Sequence, residues 1–276
     1  MYSFKLKLKK ENRGNWLIFT LPQTNHYQTI TNLSVNPKPY LLIEEKYFSN
    51  QIAIFNKSSA ELKFLYHSQE IKKQLPNEFE VGDYENNQSF RSSRFINGND
   101  KKIKEMARQV INEHKTLNDV VNKLYYFSMN YLTYGKPIDG LYPYNQALKE
   151  KTTDCGGFST FLASLLQSQG IPCRLVIGYL IKKNFLINFF SAFDLSLLTF
   201  NSLFIHTWLE LKLPDNSWFP LDSSVEWRRT KGLSRRQGGF GHIPADRLVV
   251  SYGEDFNLEI NGKIYQIDLL QKPFSL

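Results

Sequence analysis

Residues 151–170 read Lys-Thr-Thr-Asp-Cys-Gly-Gly-Phe-Ser-Thr-Phe-Leu-Ala-Ser-Leu-Leu-Gln-Ser-Gln-Gly, and they put a cysteine where a polar run becomes an apolar helical pattern. Phe158, Phe161, Leu162, Leu165 and Leu166 recur at the spacing of a helix packed on one face, and Gly170 and Pro172 end it. With Asp154, Thr153 or Thr152 as N-cap, Cys155 falls in the first turn. Unpaired backbone N–H groups and the positive end of the helix dipole favour an anion there. A thiolate is such an anion, so the position predicts a thiol pKa below its ordinary value of about 8.5 and makes Cys155 a candidate nucleophile. Gly156 and Gly157 leave room for a substrate backbone to approach.

A cysteine nucleophile needs a base and a group that orients the base. Residues 204–213 alternate after His206, with Trp208 and Glu210 opposite Leu209, Leu211 and Leu213, which predicts a half-buried strand opening near His206. A turn at 214–217 then leads to a second strand over 218–224, whose Asp222 could return beside His206 in a hairpin. Taken singly, a cysteine is commonly a small buried apolar residue, a histidine on an apolar strand a structural one, and an aspartate before Ser-Ser a turn cap. Their conjunction in this order is what carries weight.

Four segments in register, Asp-Cys-Gly-Gly at 154–157, Gly-Ile-Pro-Cys-Arg-Leu-Val-Ile-Gly-Tyr at 170–179, His-Thr-Trp-Leu-Glu at 206–210 and Trp-Phe-Pro-Leu-Asp at 218–222, resemble the transglutaminase-like superfamily of papain-type cysteine enzymes. Cys173 and Thr207 stand where that family commonly has alanine. The resemblance covers roughly residues 103–252. It implies an α+β, papain-like core in which helices pack on an antiparallel sheet, with Cys155 as nucleophile, His206 as base and Asp222 as its orienting partner. Acyl chemistry on amides through a Cys thioester follows, as a peptidase, amidase, deamidase or glutamine transamidase. The competing reading is an inactive binding or scaffold module that keeps the fold. Gly156, Trp208 and Tyr144 are the candidates for substrate contact.

The rest of the chain must position these residues. Short β-rich runs near 2–8, 16–21, 40–44, 51–56 and 61–67 predict a small β-sandwich over residues 1–82. A polar linker over 83–100 leads to the catalytic domain, 101–276, whose first helices fall near 103–114 and 117–132. Tyr131, Tyr134, Tyr142 and Tyr144 precede the nucleophile; one of them could line the substrate groove or donate to the oxyanion, with ordinary packing as the alternative.

Two stretches near the motifs stand apart. Residues 184–204 form an apolar insertion. Asp194 and several Ser, Thr and Asn argue against a membrane span, which would also part Cys155 from His206; a lid over the cleft, packing on the chain's own core and interfacial membrane contact remain as readings. Residues 226–242 are dense in Arg and Gly and read as a loop, either solvated or forming a groove wall that includes 228–236 and prefers acidic substrate segments. Asn261-Gly262 between two alternating runs predicts a type I′ hairpin that completes the sheet.

Composition bounds the partners. At 42% hydrophobic and 14% aromatic, the 276-residue chain can build a core and is not disordered. Its net charge of +8 favours anionic surroundings such as acidic substrates, cell-wall polyanions or nucleic acid, and the expected partner is a protein or peptide substrate, which could be acidic. No nucleic-acid-binding motif is present, so nucleic acid is not expected. Two cysteines exclude a disulfide scaffold, and His26, His67, His114 and His242 are too scattered for a zinc site; neither metal nor cofactor is expected. Residues 2–10 alternate like a strand rather than a signal peptide, which makes the cytoplasm the default compartment.

Overall fold

A computed structural model describes residues 2–10, 14–84, 92–113, 116–181, 197–198 and 203–276. Of the insertion at 184–204, only residues 197–198 and 203–204 fall within that range, so the lid reading lies almost wholly outside it, as does His114. The chain divides into two compact units, each built from separated segments: residues 1–70, 177–206 and 244–276 in one, 71–176 and 207–243 in the other.

The first unit is a β unit. Tyr2–Lys9 pairs antiparallel with Ser59–Ser68, with Phe4 opposite Phe64 and Leu6 opposite Leu62. Alternation decides the faces: Phe4, Leu6, Leu8, Leu62, Phe64 and Tyr66 are buried, while Lys5 and Lys63 bond Glu61 on the other side. Gln28–Asn36 joins the same sheet through Ser59–Ser68, although its mostly polar, largely exposed sequence carries no strand signal; Asn32, at φ 53°, marks the irregularity where the register shifts. The two short segments Leu197–Leu198 and Phe274–Ser275, distant in sequence, each add an edge to a sheet of this unit.

A second sheet runs in the order Phe274–Ser275, Leu17–Leu21, Gln51–Phe55, Leu41–Glu44. Its Ile18, Ile52 and Ile54 pack against Phe256, Leu258, Ile260, Ile267 and Leu270. Those residues belong largely to the hairpin Phe256–Ile260 and Lys263–Ile267, whose turn has Asn261 at φ 50° and Gly262 at φ 75°, the two positive values of a type I′ turn. The expectation that this hairpin completes a larger sheet fails. It stays two-stranded among the described residues, because its apolar face is taken up by the isoleucines rather than by an open strand edge.

The second unit holds the helices α1 (Lys101–Ile111), α2 (Leu117–Tyr131), α3 (Tyr144–Glu150), α4 (Cys155–Gln167) and α5 (Ser223–Thr230). Asp100 caps α1 by accepting from the Lys102 and Ile103 N–H groups, and Thr116 caps α2. The helix α4 is not packed on one face only; residues 155–166 are buried all round. Its polar positions are satisfied by backbone: Ser159 donates to the Cys155 and Thr207 carbonyls, Thr160 to Tyr142, and Ser164 to Thr160.

Residues 223–230, taken from the sequence as the end of a strand and the start of an Arg-Gly loop, fold as α5. Asp222 caps it, Glu226 sits in its first turn, and Arg228 and Arg229 lie in its last, the charge order that complements a helix dipole. The preceding strand is shorter than expected, Trp218–Leu221, and pairs antiparallel with Leu203–Lys212 from Lys212↔Trp218 to Leu209↔Leu221.

Candidate active site

Cys155 is the first residue of α4, and Asp154 is its N-cap, accepting the Gly157 N–H at 3.2 Å and the Ile138 N–H at 3.3 Å. The local sequence dictates this start. A Cβ at Gly157 would overlap Thr153 Oγ1, and one at Gly156 would lie 3.1 Å from Asp154 Oδ1 and Leu141 Cδ1. The space beside both glycines is therefore filled by the chain itself and not kept for a substrate.

The thiol departs from the electrostatic expectation. Burial is the largest influence and the Asp154 carboxylate the next, and with Asp222 adding to both they push the Cys155 pKa up to about 12. The Thr207 and Gly156 backbone N–H groups oppose this but do not prevail. The helix N-terminus does supply its N–H groups; desolvation and two carboxylates outweigh them. Cys155 and Cys173 are both free thiols.

Asp222 is 1% exposed and accepts from the Val225 N–H and the Ser224 hydroxyl, each at 3.2 Å. His206 is 3% exposed within Leu203–Lys212, and its carbonyl accepts from Gln271 Nε2 at 3.0 Å. The same Gln271 side-chain amide donates to Gly178 O at 2.8 Å, and the Gln271 backbone carbonyl accepts from the Tyr179 hydroxyl at 2.6 Å. His206 is thus pinned through its backbone by a residue near the C-terminus. Its chain neighbour Thr207 is one of the two residues whose backbone N–H opposes the rise of the Cys155 pKa.

The three candidates for substrate contact are all at or near full burial. Trp208 is completely buried, Gly156 lies inside the first turn of α4, and the Tyr144 hydroxyl donates to Asp100 Oδ2 at 3.1 Å. Of the four tyrosines singled out in the sequence, Tyr134 lies in the strand Thr133–Tyr134, which pairs in parallel with Thr152–Thr153, directly before the cysteine. One grouping escaped the sequence reading, an ion pair: Arg174 donates to Glu210 Oε2 from Nε and Nη2, both at 2.9 Å, and its guanidinium lies 3.8 Å from the Trp218 ring centroid. Arg174, Glu210 and Trp218 each belong to one of the motifs, which was the available signal; only their charge and ring complementarity suggested that they meet.

A mainly helical core with a buried thiol opening a central helix, flanked by antiparallel strands, defines the cysteine-centred α+β class. Residues 104–223 match the model of the transglutaminase-like superfamily. No curated protein matches the sequence. Among solved structures, a candidate cysteine protease from Cytophaga hutchinsonii is similar over 99% of this chain and 92% of that one, at 14% identity and a TM-score of 0.56. The periplasmic domain of TgpA from Pseudomonas aeruginosa matches over 83% of this chain and 92% of that one, at 12% identity and a TM-score of 0.39. At such identity the first likeness speaks for the fold alone. Among the described residues no helix is long and apolar enough to cross a membrane, and no group of three or more His, Cys, Asp or Glu could hold a metal ion.

Proposed function

We propose that the chain performs cysteine-dependent acyl chemistry on amides of protein or peptide substrates, with Cys155 as nucleophile, His206 as base and Asp222 as the group that orients the imidazole. The observation that carries this reading is Cys155 itself: a free thiol opening a buried helix, with the backbone N–H groups of Gly156 and Thr207 opposing the rise of its pKa. Those donors suit an oxyanion that develops beside the sulfur. The raised thiol pKa means that the proton leaves with the attack and is not already gone in the resting enzyme. Sulfur adds to the amide carbon as the imidazole takes the thiol proton; the C–N bond then breaks, and the amine leaves with that proton. Water or an amine resolves the thioester, and hydrolysis is the favoured outcome.

The alternative is a binding module that keeps the fold without turnover, and the upward push of burial and two carboxylates on the Cys155 thiol speaks for it. The two separate on Cys155→Ala, assayed with fluorogenic peptides, a glutamine-bearing protein for ammonia release, and a fluorescent primary amine for incorporation. Loss of all turnover with an unchanged circular dichroism spectrum supports catalysis. Turnover equal to wild type in the variant overturns it, and no turnover by the wild type on any substrate favours the binding module. Asp222→Asn gives a second check, because asparagine caps helices as well as aspartate does. The rate is expected to fall by up to about four orders of magnitude, the scale of losing a triad carboxylate, with little change in stability.

A further inference from the structure

Of Tyr131, Tyr134, Tyr142 and Tyr144, three have committed hydroxyls: Tyr131 donates to Leu148 O at 3.0 Å, Tyr142 to Glu150 Oε2 at 2.7 Å, and Tyr144 to Asp100 Oδ2 at 3.1 Å. Among the described residues the Tyr134 hydroxyl makes no hydrogen bond. Tyr134 is nonetheless firmly placed. It pairs with Thr153, two residues before the nucleophile, Gly135 N–H donates to Thr153 O at 2.7 Å, and its ring lies 6.2 Å from that of Phe158 on α4. Its hydroxyl is close enough to Cys155, Asp154, Asp222 and Arg228 to feel the charge of each, with burial the strongest influence on it.

Arg228, in the last turn of α5, sets its guanidinium 4.9 Å from the Tyr134 ring centroid. The adjacent Arg229 is consumed by Glu226 at 3.3 Å and by Gly238 O at 2.7 Å. Arg228 is half-buried and, among the described residues, its guanidinium makes neither an ion pair nor a hydrogen bond. The two carboxylates in the neighbourhood have donors of their own: Asp154 accepts from the Gly157 and Ile138 N–H groups, and Asp222 from the Val225 N–H and Ser224 hydroxyl. A planar cation with its fork of donors open, beside a phenol that can also donate, matches a carboxylate.

We propose that Arg228 and the Tyr134 hydroxyl form a carboxylate subsite beside Cys155, so that the substrate carries a carboxylate close to the carbonyl under attack. The proposal rests on the reading of Cys155 as the nucleophile and names the substrate class for that site. The carboxylate comes either from an acidic side chain or from a chain terminus.

Alkylation of Cys155 tests this without a known substrate. Iodoacetate and iodoacetamide undergo the same displacement: sulfur bonds to carbon, iodide leaves, and the thiol proton goes to buffer. They differ in charge. Rates at Cys155, separated from Cys173 by peptide mass mapping, are compared as the iodoacetate-to-iodoacetamide ratio and referred to N-acetylcysteine at the same ionic strength. The ratio is expected to exceed that of the free thiol by about fivefold or more, to lose that excess in Arg228→Gln, and to fall by about twofold in Tyr134→Phe. A ratio unchanged in Arg228→Gln, a wild-type ratio no greater than that of the free thiol, or no alkylation of Cys155 by either reagent overturns the subsite.

Protection of Cys155 from iodoacetamide identifies the source. Acetyl-Ala-Glu-amide offers only a side-chain carboxylate and acetyl-Ala-Ala only a terminal one. Protection by one that is lost in Arg228→Gln names that source, and protection by neither overturns the proposal. If the ratio responds as expected while Cys155→Ala keeps wild-type turnover, the carboxylate subsite stands and the catalytic reading falls.

Discussion

Arg174 and Arg228 of the second unit each lie on an aromatic ring, and they have opposite fates. Arg174 sits 3.8 Å from the Trp218 centroid with its donors on Glu210, which is completely buried; Arg228 sits 4.9 Å from the Tyr134 centroid, half-buried, with no carboxylate on it among the described residues. Arg174 joins the strand Cys173–Ile181 to Leu203–Lys212 and, through the ring, to Trp218–Leu221. Its charge is used up in holding strands in register. The charge of Arg228 is held in place by a ring and left available. The satisfied cation belongs to the architecture, and the open one near Tyr134 is the one proposed for recognition.

That contrast can be broken from the architectural side first. Glu210→Ala leaves the Arg174 charge without its carboxylate in the interior and is expected to cost about 3–5 kcal/mol, read as a lower urea midpoint. A loss under about 1 kcal/mol would mean that water reaches the pair and that it resembles a surface bridge. Gly157→Ala comes next. Its added methyl overlaps Thr153 Oγ1 at the head of α4, so a loss of about 1–3 kcal/mol is expected in the same measurement. A neutral result would show that Thr153 can turn away and that the start of α4 is looser than its packing indicates.

The buried thiol gives a smaller effect with a definite sign. Its pKa is about 12 in the folded chain, above the ordinary thiol value of about 8.5, so the unfolded state loses its proton first as pH rises. Between those values the folded state binds more protons, and stability declines with increasing pH. Urea unfolding at pH 7.5 and pH 10 should show a larger decline for wild type than for Cys155→Ser. Equal declines would place the native thiol near its ordinary pKa. The smallest expected effect is the sharpest contrast: Arg228→Gln should change stability by less than about 0.5 kcal/mol, because no ion pair is lost. A loss as large as that of Glu210→Ala would make Arg228 architectural as well.

Much of the core was legible because its signals are local. The apolar spacing at 158–166, the cap at Asp154, the alternation at 2–9 and 59–68, and Asn261-Gly262 each express their structure within a few residues. Gln28–Asn36 was not legible, since its hydrogen bonds come from Ser59–Ser68 and its side chains are largely exposed. The helix α5 was hidden by a run of charge and glycine; the burial of Val225 and Trp227 and the bonding of Glu226 to the Tyr125 hydroxyl at 2.6 Å and the Phe240 N–H at 3.0 Å hold it.

By itself the sequence determined which residues could do chemistry and the elements that carry them, because side-chain type and hydrophobic period are properties of the chain. Only the tertiary structure decided the state of the thiol, since burial and two carboxylates act through space and overrule the helix start. It also decided which tyrosine and which arginine stay uncommitted near Cys155. Tyr131, Tyr142, Tyr144 and Arg229 have the same chemistry as Tyr134 and Arg228, and what separates them is whether the fold supplies a partner.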